Sequence, residues 1–204
     1  QDHLRAGGAA QDDPGPPDVA AHGAQVAMAR VAHDVLVAHQ RSHHAQRLIL
    51  GAEAYAVHEE RLENEPEAFD EEVCERLMDG ARPRAYRYAN ARRRGVLATD
   101  EFDHALQGVD VLLTPTLPIV ATEIGQREVR IGDNKESVRS ALTRYTGPTD
   151  LTGHPSLSIP CGTIASGLPV GLQLIGRHFD EATLYRFGHA YEEAMIQDQQ
   201  PAVR

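Results

Sequence analysis

A layered α/β fold is what this sequence predicts, and three observations predict it. Alanine-rich stretches with apolar residues at helical spacing fill the first half of the chain. A compact apolar run, VDVLLTPTLPIV at 109–120, is closed by Pro115 and Pro118. The stretch LTGHPSLSIPCGTIASGLPVGLQLIG at 151–176 alternates as strands do, around turns rich in glycine and proline. At 204 residues the chain can form one well-buried domain or part of a larger one.

Residues 1–30 carry Gly7, Gly8, Pro14, Gly15, Pro16 and Pro17 and read as an irregular lead-in. From Val26 to Glu63, Val31, Val35, Leu36, Leu48, Ile49 and Tyr55 mark helix, with a break expected near Gly51. Residues 67–80 place Phe69, Val73, Leu77 and Met78 on one stripe, with Gly80 as a C-cap. A further helix follows Pro83 and stops at Gly108. The apolar run at 109–120 is the first strand, residues 121–135 read as loop, and 137–145 (SVRSALTRY) as one helix. SLSIP and PVGLQLIG are two strands joined by CGTIASGL; in the second, Val170, Leu172 and Leu174 form an apolar face opposite a lean one. Asp180 caps a last helix, with Leu184, Phe187, Tyr191 and Met195 as its expected buried stripe. No repeat of 20–50 residues interrupts this order.

Composition narrows the function. A hydrophobic share of 41%, with charged residues at 25%, leaves no apolar run approaching ~18 residues, so no membrane span is expected. The opening QDHLRAGG lacks a basic segment followed by an apolar one, and a cytoplasmic location is the expectation. A net charge of −10 repels a phosphate backbone, and aromatic residues at 5% offer no base-stacking platform, so nucleic acid is not an expected partner. Arg92, Arg93 and Arg94 splay around a helix and read as solvated. Lys135 is the sole lysine and sits in the polar run GDNKES, where a turn would solvate it, unlike a desolvated lysine base.

The chemistry-bearing residues have ordinary readings. His39 and His43 have the i, i+4 spacing of two metal-binding imidazoles, yet the glutamate of HExxH is missing, and a solvated helix surface is the expectation beside His33 and His44. Cys74 and Cys161 are distant and reduced, with no CxxC. A thiol nucleophile at Cys161 would need His154 beside it; the alternative is a small buried thiol at a strand end. Ser156 and Ser158 lie on a strand without a GxSxG elbow, and neither GxGxxG nor GxxxxGK[ST] occurs. The pairs Glu59/Glu60, Glu71/Glu72 and Glu192/Glu193 diverge on helices and suit solvent.

Three blocks nevertheless carry a resemblance. VDVLLTPTLP, then TGPTDLTGHPSLSIPCG, then GLPVGLQLIGRHFDEATLYRFGHAYEEA together resemble, in order and spacing, the C-terminal part of the amidase-signature hydrolases over residues 109–194. AEAYAVHEE at 52–60 and the spacing of Tyr88, Ala91, Phe102 and Asp110 are similar too, with weaker wording. The resemblance implies a mixed β-sheet flanked by helices. Residues 1–50 form a poorly matching lead-in, partly irregular or helical, and 51–204 form the C-terminal part of a single amidase-signature domain.

Such enzymes hydrolyse carboxylic amides to acid and amine or ammonia with a serine, a bridging serine and a lysine, and with no metal or organic cofactor. A neutral lysine takes a proton through the bridging serine, and backbone N–H groups hold the oxyanion. The family's glycine- and serine-rich segment and its lysine lie N-terminal to every block matched here, so no catalytic residue is carried over and the chain alone is expected to be inactive. The resemblance implies pocket-lining roles for Thr114, Pro115, Thr116, Tyr145, Thr146 and Asp150, with a small-molecule amide as substrate once the missing part is joined. A homo-oligomer is left open. Asp150 replaces the asparagine usual before LTG and becomes acceptor-only when ionised.

Relatives that release ammonia from glutamine for tRNA amidation carry an arginine and an acid where Gly95 and Thr143 stand. Losing each charge partner of the glutamine backbone costs ~1.5–3 kcal/mol. A general amidase is favoured over the corresponding component of a glutamyl-tRNA(Gln) amidotransferase, with a non-catalytic scaffold or partner-binding fragment as the alternative from another class.

Overall fold

The computed structural model describes residues 19–195, with side chains from residue 42 onward. The elements are α1 (Val19–Asn64), a 3₁₀ turn (Pro66–Ala68), α2 (Glu71–Gly80), α3 (Ala85–Ala105), β1 (Leu112–Pro115), β2 (Glu128–Ile131), β3 (Asn134–Ser137), α4 (Val138–Leu142), α5 (Gly147–Thr152), β4 (Ser156–Thr163), β5 (Pro169–Ile175) and α6 (Glu181–Met195). The chain adopts the α/β class that its sequence predicts. A three-stranded sheet runs β1-β5-β4 and a hairpin pairs β2 with β3, both antiparallel.

The three-stranded sheet is the middle of three layers. Register partners share a face, so Leu112 and Ile175 stand together and meet Phe102 and Leu106 of α3. The other face presents Ile159 and Leu174 to Leu184 of α6, with Leu157, Leu172 and Tyr191 around them. Burying side chains such as Phe102 and Ile175 contributes about 1.5–3 kcal/mol each. A third cluster joins α1, α3 and α5 through Ala45, Ile49, Ala91 and Leu151. Arg177, just after β5, donates to the carbonyl oxygens of Leu106 and Val109 and so ties the end of α3 to the sheet.

Several elements differ from their sequence expectation for identifiable reasons. The helix begins at Val19, so the irregular lead-in does not extend to residue 30; Gly7 to Pro17 lie outside the described residues. α1 then runs 46 residues without a break at Gly51. Gly51 is a crossing point, where Gly80 of α2 packs against bare backbone. Gly80 is accordingly the last residue of α2 rather than its cap; the cap is Ala81, in the ordinary right-handed region. Asp70 caps the start of α2 by accepting from the Glu72 amide. Of the α2 stripe, Met78 is exposed, while Phe69 lies edge-on to His58 with Arg61 over its ring.

The loop expected over 121–135 contains a hairpin. Gly132, at φ 59°, supplies the positive φ that a tight two-residue turn needs at its first central position. Lys135 therefore stands on β3, exposed and paired with Glu128, rather than in the turn itself. The helix expected over 137–145 is only Val138–Leu142, capped by the Ser137 hydroxyl on the Ser140 amide. A separate turn of helix, α5, starts at Gly147, with Pro148 at its first turn, where a missing N–H costs nothing. The first strand is four residues long, shorter than the apolar run containing it. In α6 the buried positions are Thr183, Leu184 and Gly188, whereas Phe187 and Met195 are exposed. The bare Gly188 faces Leu157 and shifts the contact stripe by one residue.

Candidate functional site

The sheet face toward α3 changes character along its length. Past the apolar pair Leu112 and Ile175, the next register row is Thr114, Gln173 and Ser158, one residue from each strand. Gln173 is 1% exposed, and its Nε2 donates to the Tyr145 carbonyl oxygen at 3.3 Å. Its Oε1 and the Thr114 Oγ1 are both buried and, among the described residues, lack a hydrogen-bond partner. Beyond that row the central strand has only Gly171, and Thr116 Oγ1 and Ser158 Oγ meet across it at 2.7 Å. A β-carbon on Gly171 would lie 2.8 Å from Thr116 Oγ1, so this hydroxyl pair depends on the glycine.

The segment leading into α5 borders the same face. Thr149 Oγ1 donates to the Thr146 carbonyl oxygen at 2.8 Å and stands 3.4 Å from Ser156 Oγ. Asp150 follows, its carboxyl pKa raised from the ordinary value by partial burial. Thr114 and Thr116, with the backbone carbonyl oxygens of Tyr145 and Thr146, thus belong to one polar face. Pro115, by strand alternation, is on the opposite face with Leu172, and Asp150 is on the exposed side of α5. An open groove of about 650 Å³ adjoins the hydroxyl pair, walled by Leu117, Ile119, Val120, Leu142 and Pro160. Apolar walls with a few converging polar groups are the usual make-up of a small-molecule site.

Other sequence candidates settle differently. Cys161 is exposed, not buried, because it lies on the outer strand β4; its Sγ donates to the Val170 carbonyl oxygen at 3.5 Å. His154 is enclosed elsewhere, with Nδ1 2.9 Å from Thr152 Oγ1 and Nε2 3.2 Å from Asp103 Oδ1. The two share no contact that could make a thiol–imidazole pair. Burial, then the neighbouring His178, holds the His154 pKa below its usual value against the opposing pull of Asp103.

His43 is buried rather than solvated, with Nε2 2.9 Å from Thr143 Oγ1. Its pKa is lowered by burial first and by Arg47 and Arg144 next. The side chain of His39 lies outside the described residues. Arg94 is mostly buried and forks onto both carboxylate oxygens of Glu101, unlike the exposed Arg92 and Arg93. Gly95 is buried against Leu151, and Thr143 is engaged by His43.

Gln173 is the site residue that sequence reasoning missed. The signal was present in the alternation, which puts Gln173 on the lean face of its strand. The cross-strand partner that makes it meaningful, Thr114, belongs to a different strand and required the register.

Comparison with known proteins sets this geometry in a family. A family model described as Amidase matches residues 3–185. An uncharacterized protein in the nthA 5′ region of Rhodococcus erythropolis is 45% identical over 108 residues, 52% of each chain. A glutamyl-tRNA(Gln) amidotransferase subunit from Bacillus thuringiensis is 38% identical over 138 residues, covering 63% of this chain and 26% of that protein. Among solved structures, one amidase superposes with a TM-score of 0.71 at 30% identity, over 76% of this chain and 35% of its own. The chain therefore spans about half the length of one such relative and a quarter to a third of the others. With its sheet, its helices and most of its sequence matched, the chain belongs to the amidase family and has the amidase-signature fold.

Proposed function

We propose that the chain is the C-terminal segment of an amidase that hydrolyses carboxylic amides. The Thr116–Ser158 hydroxyl pair, at the edge of the apolar groove, forms part of the wall against the acyl side of the substrate. The observation that carries this reading is the groove itself: apolar walls on the 117–121 segment and the β4–β5 hairpin, with polar groups confined to one rim. The serine nucleophile, bridging serine and lysine are contributed by sequence outside this chain. Lys135 is exposed and ion-paired, and the strand serines are engaged with threonine hydroxyls, so no general base is poised beside a nucleophile among the described residues. Thr114, Thr116, Tyr145 and Thr146 are the proposed lining residues, Pro115 and Asp150 being turned away from this face, and the reaction uses no organic cofactor.

The similarity to amidotransferase components favours ammonia release from glutamine as a second reading. Against it, position 95 carries no guanidinium, and a β-carbon there would already lie 3.1 Å from Leu151 Cδ1, so an arginine would have to shift the Leu151 side chain. Thr143 is an uncharged partner of His43, which leaves nothing at that position to balance an α-ammonium group.

The test is ammonia release from a panel of aliphatic and aryl amides and from glutamine. The chain alone is expected to be inactive. Joined to the serine-rich N-terminal portion of an amidase with the same fold, it is expected to turn over amides, with KM rather than kcat responding to Thr116→Val. Turnover by the chain alone that is lost in Ser156→Ala or Cys161→Ala would overturn the assignment.

A further inference from the structure

Asp103, His154 and His178 come from three separate segments, the end of α3, the turn before β4 and the turn after β5, and converge on one point. One ligating atom from each lies within 4.8 Å of the others. The His154 side chain is 0% exposed, and its ring is held between Phe102, at 5.3 Å between centroids, and His178, at 4.1 Å. Its Nε2 donates to Asp103 Oδ1 at 3.2 Å while Nδ1 is 2.9 Å from Thr152 Oγ1; moving the ring proton to Nδ1, where the Thr152 hydroxyl can accept it, would free the Nε2 lone pair for an ion held between His154 and Asp103. Gly153, at φ 78°, takes the left-handed conformation that ends α5 and turns the chain into His154. Asp103 is 53% exposed, so the remaining side opens to water.

We propose that these three residues bind a divalent transition-metal ion, zinc foremost, as a structural clamp between α3 and the two turns that flank the β4–β5 hairpin. Two imidazoles and one carboxylate select zinc and its first-row neighbours over magnesium or calcium, which prefer all-oxygen sets. Nitrogen or oxygen donors about 2.0–2.2 Å from an ion stand roughly 3–3.5 Å apart in tetrahedral or facial arrangements. Closing the present set to that spacing needs movement of the exposed Asp103 and the half-buried His178, while the buried His154 stays fixed. The Thr152 contact supplies the outer partner that metal-bound histidines characteristically have. Water completes the coordination from the open side.

The experiment uses the full chain stripped with a chelator. Zn²⁺ binding is measured by calorimetry, and Co²⁺ is used as a visible-absorption reporter of coordination by nitrogen donors. The expected result is one ion per chain bound at micromolar or tighter concentration, with Zn²⁺ raising the thermal midpoint. His178→Ala and Asp103→Asn should each weaken that site by about 10- to 100-fold, and Thr152→Val should weaken it less. His39→Ala serves as the control for the histidine-rich helix and should leave the site intact. Zn²⁺ binding that survives His178→Ala and Asp103→Asn unchanged, or is abolished by His39→Ala, overturns the proposal, as does the absence of binding to a folded wild-type chain.

Discussion

Gly80 sits so close to Gly51 that a β-carbon on Gly80 would lie 2.1 Å from the Gly51 carbonyl oxygen, whereas one on Gly51 would meet only the Gly80 Cα at 3.7 Å. The same substitution thus has opposite expected effects at the two positions. Gly80→Ala must push backbone apart and should cost about 1–3 kcal/mol or more. Gly51→Ala makes an ordinary contact and gains helix propensity, so it should be neutral or stabilising by about 0.5–1 kcal/mol. Denaturant midpoints of the two variants measure this directly; equal losses in both would contradict the asymmetric crossing.

Glu136 and Arg144 join the β2–β3 hairpin to the segment before α5, and both side chains are largely buried. Glu136→Gln leaves the guanidinium without its counter-charge and should cost about 1.5–3 kcal/mol. The double variant Glu136→Gln/Arg144→Met should recover part of that loss, because an unpaired buried charge costs more than none. Urea unfolding of the three proteins gives the comparison.

His43 should make stability depend on pH in the mildly acidic range. Burial and the nearby Arg47, Arg144 and His44 hold its folded pKa below 6.5, with Glu136 pulling the other way. The unfolded chain takes up the proton first, so His43's contribution is intact above pH 6.5 and is lost as pH falls toward the lowered folded value. His43→Gln, which can still bond Thr143, should flatten the fall in thermal midpoint between about pH 6.5 and 5. An unchanged slope would show that His43 does not carry it.

Asp150 works in the reverse direction. Burial raises its folded pKa above 3.8, so its ionised form is disfavoured in the folded state and subtracts from stability as pH rises through the unfolded value. Asp150→Asn should therefore raise the thermal midpoint at pH 7 and leave it little changed at about pH 3, although it gives up a carboxylate in the first turn of α5. A lower midpoint at pH 7 would mean that the helix terminus outweighs burial.

What the sequence made legible follows a physical divide. β4 and β5 were readable because alternation and glycine or proline punctuation act within a few residues, and α6 begins at Glu181, directly after Asp180, whose carboxylate accepts from Thr183 Oγ1. β2 and β3 were not, since four-residue strands with mostly exposed side chains carry no apolar rhythm. Gly51 suggested a break for a sound local reason, and a long-range contact with Gly80 overrode it. The candidate lining residues were found through family resemblance. Gln173 and the Asp103–His154–His178 cluster depend on strand register and on the convergence of separate elements, which no local pattern encodes.

The hydroxyl bond over Gly171 has a consequence for how the sheet assembles. Thr116 follows β1 and Ser158 belongs to β4, and these strands are each paired with β5 but not with one another. No two-strand subset contains both partners beside the bare glycine, so the bond forms only once all three strands are in place. A slip of β4 by one residue would turn Ser158 to the other face and break it. A single contact of about 1 kcal/mol thereby rewards only the complete, correctly aligned sheet, sharpening the all-or-none character of its formation.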